Sequence, residues 1–366
     1  MSTIDPTLSE NVIASVSGAI GILTLDRPKA LNALNQPMCA AIDQALAVWA
    51  SDPGIAAVVI RSAGDRAFCA GGDVRASYED GLRWKRGEGD GAVGRELFRT
   101  EYRMDRRLKT FPKPYIALID GITMGGGVGI SIHGSHRVAT ERTLWAMPET
   151  GIGFFPDVGT TFALPRLAGE VGTYLGLTGA RLKAGDLAAL GIATHVVAAD
   201  TVAACLDDLI ASVGPTDTFA AIERTLARYA GTATMPAEIM PNRAVIDRCF
   251  AHDRVEQIVA ALAERDDPFA AETAGVLAKL SPTSLKLTLK ALRKGATLSF
   301  DACMVMEYRM SQTVLTGHDF YEGIRAQLVD KDRSPKWYPA TLDAVDDSAV
   351  DALFLPPLDG DLTFPN

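Results

Sequence analysis

No Cys-x-x-Cys pair, no His-Glu-x-x-His, no Gly-Lys-Ser/Thr and no apolar run approaching ~18 residues occurs in this sequence. Its five cysteines, Cys39, Cys69, Cys205, Cys249 and Cys303, are an odd and scattered set. That speaks against a disulfide framework or zinc ribbon, and for thiols in a reducing compartment. The five histidines, His133, His136, His195, His252 and His318, lack metal-site spacing, so no metal is expected. Basic charge is short as well: 36 Lys and Arg against 45 Asp and Glu leave a net charge of −9 and a pI near 5.2. Such a chain has no general attraction to nucleic acid or anionic lipid, although a local basic pocket for a small anion is compatible with it. Met1 to Glu10 is polar and acidic, without the basic and apolar regions of a secretory leader. A cytoplasmic location is the expectation, although a mature organellar enzyme would read the same way.

What is present is the composition of a globular enzyme, 366 residues with 48% hydrophobic and 22% charged, enough for one large or two modest domains. The first half alternates short apolar runs with helical spacing. Ile20 to Leu25 is followed by Met38, Ile42, Leu46 and Trp49, and then by Ile55 to Ile60, a β-α-β pattern. Tyr115 to Ile119 runs into the glycine-rich stretch Gly121 to Gly129, with another short strand pattern at Arg137 to Ala139. Repeated units of this kind predict an α/β fold. The polar stretch from about Tyr78 to Gly94 reads as a mobile loop, followed by a charged helix with Glu101, Tyr102, Met104 and Leu108. Beyond about Ala199 the pattern turns helical. Leu285, Leu289 and Leu292 lie on one helix face, and Lys286, Lys290 and Arg293 on the other. Soft boundaries fall at Gly214-Pro215 and at Pro236 to Pro241.

Three constellations carry chemistry. In Phe68-Cys-Ala-Gly-Gly-Asp73, just after a predicted strand, glycines let the backbone approach a ligand closely. In Gly125-Gly-Gly127, before a predicted helix, main-chain N–H groups face incoming negative charge, and two such donors from different loops would form an oxyanion hole. Either motif alone also reads as a plain tight turn. A dinucleotide fingerprint fails at Ile130, and Gly129-Ile-Ser131-Ile-His133 misses the last glycine of a nucleophile elbow, leaving Ser131 as a packed helix residue. The third is Met147-Pro-Glu-Thr-Gly-Ile-Gly-Phe-Phe-Pro-Asp-Val-Gly159, with Glu149 and Asp157 among apolar residues and turn-formers. A carboxylate in such surroundings can act as acid, base or nucleophile, though both residues also suit helix starts. The stretch from His318-Asp-Phe-Tyr-Glu-Gly323 to Trp337 reads, unaided, as a solvated helix and loop.

Together with Asp26-Arg-Pro-Lys-Ala-Leu-Asn-Ala-Leu34, these segments resemble the crotonase (enoyl-CoA hydratase/isomerase) superfamily in order and spacing over about residues 12 to 200, and its 3-hydroxyisobutyryl-CoA hydrolase branch around 296 to 337. The resemblance implies an α/β fold, a spiral of repeated β-β-α units spanning 1–200, with a mainly helical region over 201–366. It implies a bent coenzyme A bound at Lys29, Ala30, Ala70, Gly72, Asp73 and Val74, and a thioester oxygen held by the backbone amides of Gly72 and Gly126. Hydratases of this family carry a pair of glutamates; Gly129 stands at the first position and Glu149 matches the second, so the pair is broken. In the hydrolase branch the residues matching Glu101, Gly126, Glu149 and Asp157 form the substrate site. The implied activity is hydrolysis of a short β-hydroxyacyl-CoA, of the kind met in valine catabolism, with Glu149 and Asp157 catalytic. No cofactor is needed, coenzyme A being part of the substrate. Implied partners are limited to the acyl-CoA, with neither nucleic acid nor membrane, and homo-oligomer formation is open. The alternatives are a hydratase or isomerase using Glu149 as its single base, and a non-catalytic assembly protein that keeps the fold.

Overall fold

The computed structural model describes residues 9–231 and 235–364; residues 1–8, on which most of the amino-terminal reading rests, lie outside them. By packing, the chain divides into two compact units that interleave along the sequence. Of the described residues, the first takes those up to Gly72, in Arg103–Trp145 and in Arg181–Met240; the second takes Asp73–Tyr102, Ala146–Ala180 and those from Pro241 on.

In the first unit, β1 (Val12–Ser17) and β2 (Ile20–Leu25) form an antiparallel hairpin. Parallel strands then extend it: β3 (Ala57–Ser62), β5 (Tyr115–Ile119), β7 (His136–Ala139) and β9 (His195–Val196), in the order β1-β2-β3-β5-β7-β9. A smaller sheet, β4-β6-β8, is made by Ala67–Cys69, Ile122–Met124 and Leu144–Ala146. Each of the pairs β3/β4, β5/β6 and β7/β8 therefore sends one strand to each sheet before the chain moves on, which is the expected β-β-α spiral. The central strands are apolar on both faces, as sheets covered on both sides require. Ile20, Ile22, Val59, Ile116, Leu118 and Val138 pack against Leu206, Leu209, Ile222 and Leu226 of two helices, α8 (Val202–Ser212) and α9 (Thr218–Tyr229). Helix α1 (Gln36–Ser51), capped by the Asn35 side chain on Met38 N–H, buries Met38, Ile42, Leu46 and Trp49. Two short helices, α4 (Gly126–Ile132) and α7 (Ala184–Ala189), complete this unit.

The second unit is helical: α2 (Val74–Lys85), residues 92–102 of α3 (Ala92–Lys109), α5 (Thr160–Ala163), α6 (Val171–Thr178) and α10 (Arg243–Cys249). It continues with α11 (Val255–Ala263), α12 (Pro268–Leu277), α13 (Pro282–Gly295), α14 (Phe300–Val314), α15 (Asp319–Ile324) and α16 (Asp347–Ala352). The loop expected over Tyr78 to Gly94 is instead mostly helix. Asp73 caps α2 by accepting from Ala76 N–H, Arg83 and Lys85 complement its carboxyl end, and the polarity belongs to its exposed face. Helix α13 follows the sequence: Leu285, Leu289 and Leu292 are buried, while Lys286 pairs with Glu256 at 2.8 Å and Arg293 with Glu170 at 2.9 Å.

Candidate active site

Of the residues expected to hold coenzyme A, Lys29, Ala30, Ala70 and Gly72 lie in the first unit, while Asp73 and Val74 open α2 in the second. Lys29 and Ala30 lie in a single helical turn, Pro28–Ala30, followed by the left-handed residues Leu31 (φ 51°) and Asn32 (φ 57°). The Asn32 amide holds that turn, donating to the carbonyls of Ala67 and Phe68 and accepting from Arg27 N–H at 2.8 Å. Ala70 N–H donates to Leu31 O at 3.0 Å, and Leu34 N–H to Gly71 O at 2.8 Å. Residues 29–34 and 70–72 therefore run side by side, with the Lys29 side chain exposed. Gly126 opens α4, so its N–H has no carbonyl one turn back in the helix. At Gly127 an added Cβ would sit 2.2 Å from Cys69 O, so only glycine lets α4 approach β4 this closely. The Gly72 and Gly126 segments are thereby neighbours: a Cβ on Gly71 would lie 3.6 Å from Met124 O. Gly129 is buried inside α4 and brings no carboxylate there.

In the second unit, Glu101, Glu149 and Asp157 are buried at 2%, 6% and 5% exposure. Glu101 and Tyr102 follow Leu97 and Phe98 on the buried stripe of α3, so the helical period that buries the apolar residues buries the carboxylate too. Glu149 opens a single turn, Glu149–Ile152, whose end is set by left-handed Gly153 (φ 71°). The His318–Gly323 segment, which unaided reads as a solvated helix, is instead buried at Asp319, Phe320, Tyr321 and Gly323 and forms the wall behind that turn. A Cβ on Gly153 would meet Asp319 O at 2.1 Å, and one on Gly323 would meet the Ile152 carbonyl carbon at 2.3 Å. Phe154 stacks on Phe98 and Phe155 and meets Phe320, enclosing the turn in aromatic surface. Asp157 accepts from Tyr102 Oη at 2.7 Å, and Val158 behind it is left-handed (φ 51°), a conformation costing a β-branched residue about 1–3 kcal/mol.

Sequence reasoning missed two residues here. Tyr102 figured only as part of a helical pattern, and Glu307 not at all. Glu307 is fully buried on α14, where it stands on the stripe Phe300, Cys303, Met304, Tyr308 and Ser311. A lone acid on an apolar stripe was the available signal.

Burial governs the charge state. It pushes Glu149 and Glu101 well above the ordinary glutamate range, with the Asp157 charge adding to both. Burial also lifts Asp157 to about 7, against the lowering effect of its Tyr102 hydrogen bond. Glu307 goes to about 8, through burial and then the Asp157 charge. Buried acids raised in this direction keep protons at pH values where exposed carboxyls have lost them. Glu149 Oε2 and Glu101 Oε1 have no hydrogen-bond partner among the described residues, which leaves them available to a substrate or water.

Glycine-turn amides and unpartnered buried carboxyls are the equipment of acyl-transfer chemistry, and the comparisons agree: the chain belongs to the enoyl-CoA hydratase/isomerase family, whose model matches residues 20–354. Within it, the chain is 46% identical to the mitochondrial 3-hydroxyisobutyryl-CoA hydrolase of Gallus gallus, over 96% of this chain and 90% of that one. It is 42% identical to the mitochondrial enzyme of the same name from Homo sapiens, over 97% and 91%. Among solved structures, a carnitinyl-CoA dehydratase from Mycobacterium thermoresistibile superposes with a TM-score of 0.89 at 41% identity, covering 97% of this chain and 99% of that one. An enoyl-CoA hydratase from Rhodobacter sphaeroides gives 0.85 at 39%, covering 97% and 100%. These structures share the α/β spiral. The expected cytoplasmic location is corrected by the same relatives, which are named as mitochondrial proteins. Composition and a leaderless reading of Met1 to Glu10 do not separate a cytoplasmic enzyme from an organellar one, because both fold in reducing, neutral surroundings. Among the described residues no helix is long and apolar enough to cross a membrane.

Proposed function

We propose that this chain hydrolyses 3-hydroxyisobutyryl-CoA to coenzyme A and the free hydroxy acid. The observation that carries the reading is the buried Glu149, with one oxygen unpartnered, in a chain that has glycine at 129 and so lacks the second glutamate of a hydratase. The relatives named as hydrolases, 42–46% identical over nearly the whole chain, support it. Glu149 either attacks the thioester carbonyl or takes a proton from the attacking water. In net terms the water oxygen joins the carbonyl carbon, the C–S bond breaks, and the sulfur leaves as coenzyme A thiol. The N–H groups of Gly72 and Gly126 stabilise the developing oxyanion, a contribution worth about 10²–10³ in rate for a single donor. Asp157, fixed by Tyr102, binds the β-hydroxyl of the acyl chain, with Glu101 beside it. Lys29, Ala30, Ala70, Gly72, Asp73 and Val74 take the coenzyme A moiety.

The names of the two solved neighbours favour a second reading, hydration or dehydration with Glu149 as single base. Thiol release from 3-hydroxyisobutyryl-CoA, followed with a thiol reagent beside crotonyl-CoA absorbance, separates the two. The expected result is rapid thiol release that Glu149→Gln lowers by about 10³ or more, with crotonyl-CoA untouched. Loss of crotonyl absorbance without thiol release would install the second reading instead.

A further inference from the structure

Glu307 belongs to none of the sequence motifs, yet both of its oxygens are engaged. Oε2 accepts from Gly159 N–H at 2.8 Å; Oε1 accepts from Thr161 N–H at 3.1 Å and from the Thr161 hydroxyl at 2.5 Å. All three donors lie in the turn that leaves Asp157. Val158 and Gly159 are left-handed in succession there, at φ 51° and 78°. Such a turn persists only where its surroundings hold it. Thr160 ties it back to Asp157, its N–H and hydroxyl donating to Asp157 O at 2.9 and 2.7 Å. The carboxylate itself is gripped by Tyr102 Oη. Position and direction of Asp157 thus depend on a fully buried acid that lies 150 residues further along the chain.

We propose that Glu307 is a positioning residue for substrate selection: by clamping the Asp157 turn it fixes the Asp157 carboxylate for the β-hydroxyl of the acyl chain, and so sets the preference for hydroxylated over plain acyl thioesters. The inference rests on the reading that Asp157 meets that hydroxyl. A site built to hydrogen-bond a hydroxyl rejects the analogue lacking it, because its own polar group is then left buried and unpaired. An Asp157 free to shift loses that discrimination first, whereas the plain ester, which makes no such bond, is little affected.

The test compares kcat/KM for 3-hydroxyisobutyryl-CoA and isobutyryl-CoA in the wild type, Glu307→Gln, Asp157→Asn and the double variant, with amide hydrogen exchange at Gly159 and Thr161. Glu307→Gln is expected to lower the ratio of the two by about tenfold, mainly through kcat for the hydroxylated ester, while exchange at both amides accelerates. Asp157→Asn gives the same loss, and the double variant adds little to it. Thr161→Val removes only the hydroxyl donor, so it remains readable if Glu307→Gln does not fold; about a threefold loss of the ratio is expected. Equal losses on both esters, in step with the folded fraction, would reduce Glu307 to a structural residue and overturn the proposal. A ratio that collapses in Asp157→Asn but survives Glu307→Gln overturns it also. A ratio indifferent to Asp157→Asn removes the reading of Asp157, and with it any part for Glu307 in selection. Should the wild type release thiol from neither ester, the hydrolase reading falls, and unchanged protection of Gly159 and Thr161 in Glu307→Gln would dispose of the clamp separately.

Discussion

Burial raises the carboxyl groups of Glu101, Glu149, Asp157 and Glu307, and the Asp157 charge adds to the rise at the other three, which fixes the sign of two pH effects. A Glu149 that must lose its proton to act gives a rate that rises with pH. The acid limb of kcat/KM therefore lies above the ordinary glutamate range, and a limb near about pH 4.5 would show that Glu149 is not the group being titrated. Stability moves the other way. Between the ordinary carboxylate range and about 8, the native cluster retains protons that the unfolded chain has released, so stability present at low pH is lost as pH rises through the folded values of about 7 and 8. The ligand-free protein is expected to unfold at a lower temperature near pH 8.5 than near pH 5.5, an effect on the order of a few kcal/mol that Glu149→Gln diminishes. Equal melting temperatures for the wild type and Glu149→Gln at both pH values would contradict this. Three of these acids were visible in the sequence, two beside glycine, proline and phenylalanine and one on a charged helix. Glu307 was not, because its partners lie 146 and 148 residues away and nothing local marks a clamp at that separation.

At the scale of elements, strands were the more legible, because apolar runs such as Ile20 to Leu25 and Tyr115 to Ile119 have few other uses. Helix α2 was misread as loop because its face is polar and it contains Gly81, where a side chain would strike Tyr321 Oη. A glycine kept for close packing looks in sequence like one kept for a turn. The same ambiguity hid the role of α15. Its Gly323 presses on Ile152 next to the Glu149 turn, so Gly323→Ala is expected to force the two segments apart. The cost should be about 1–3 kcal/mol of stability, with a fall in kcat larger than the change in KM. Thermal denaturation and steady-state kinetics of that variant check both; wild-type values would mean that α15 does not support the turn.

At the scale of the molecule, the interleaving of the two units was beyond sequence reasoning, because it depends on which distant segments share a core. The sheet of the first unit is covered by α8 and α9, which come after the last catalytic motif in the chain. A chain stopped after residue 200 would retain the strands but uncover Ile22, Val59, Leu118 and Val138. Such a product is expected to be insoluble or to bind hydrophobic dyes, and a soluble, cooperatively melting fragment would show that the face needs no cover.

All five cysteines are buried. A reagent that counts thiols released from a thioester should therefore meet almost none from the folded protein, and five per chain once it is denatured. The blank in the first activity assay is thereby a gauge of how much of the sample is native, read in the same cuvette and at the same wavelength as turnover.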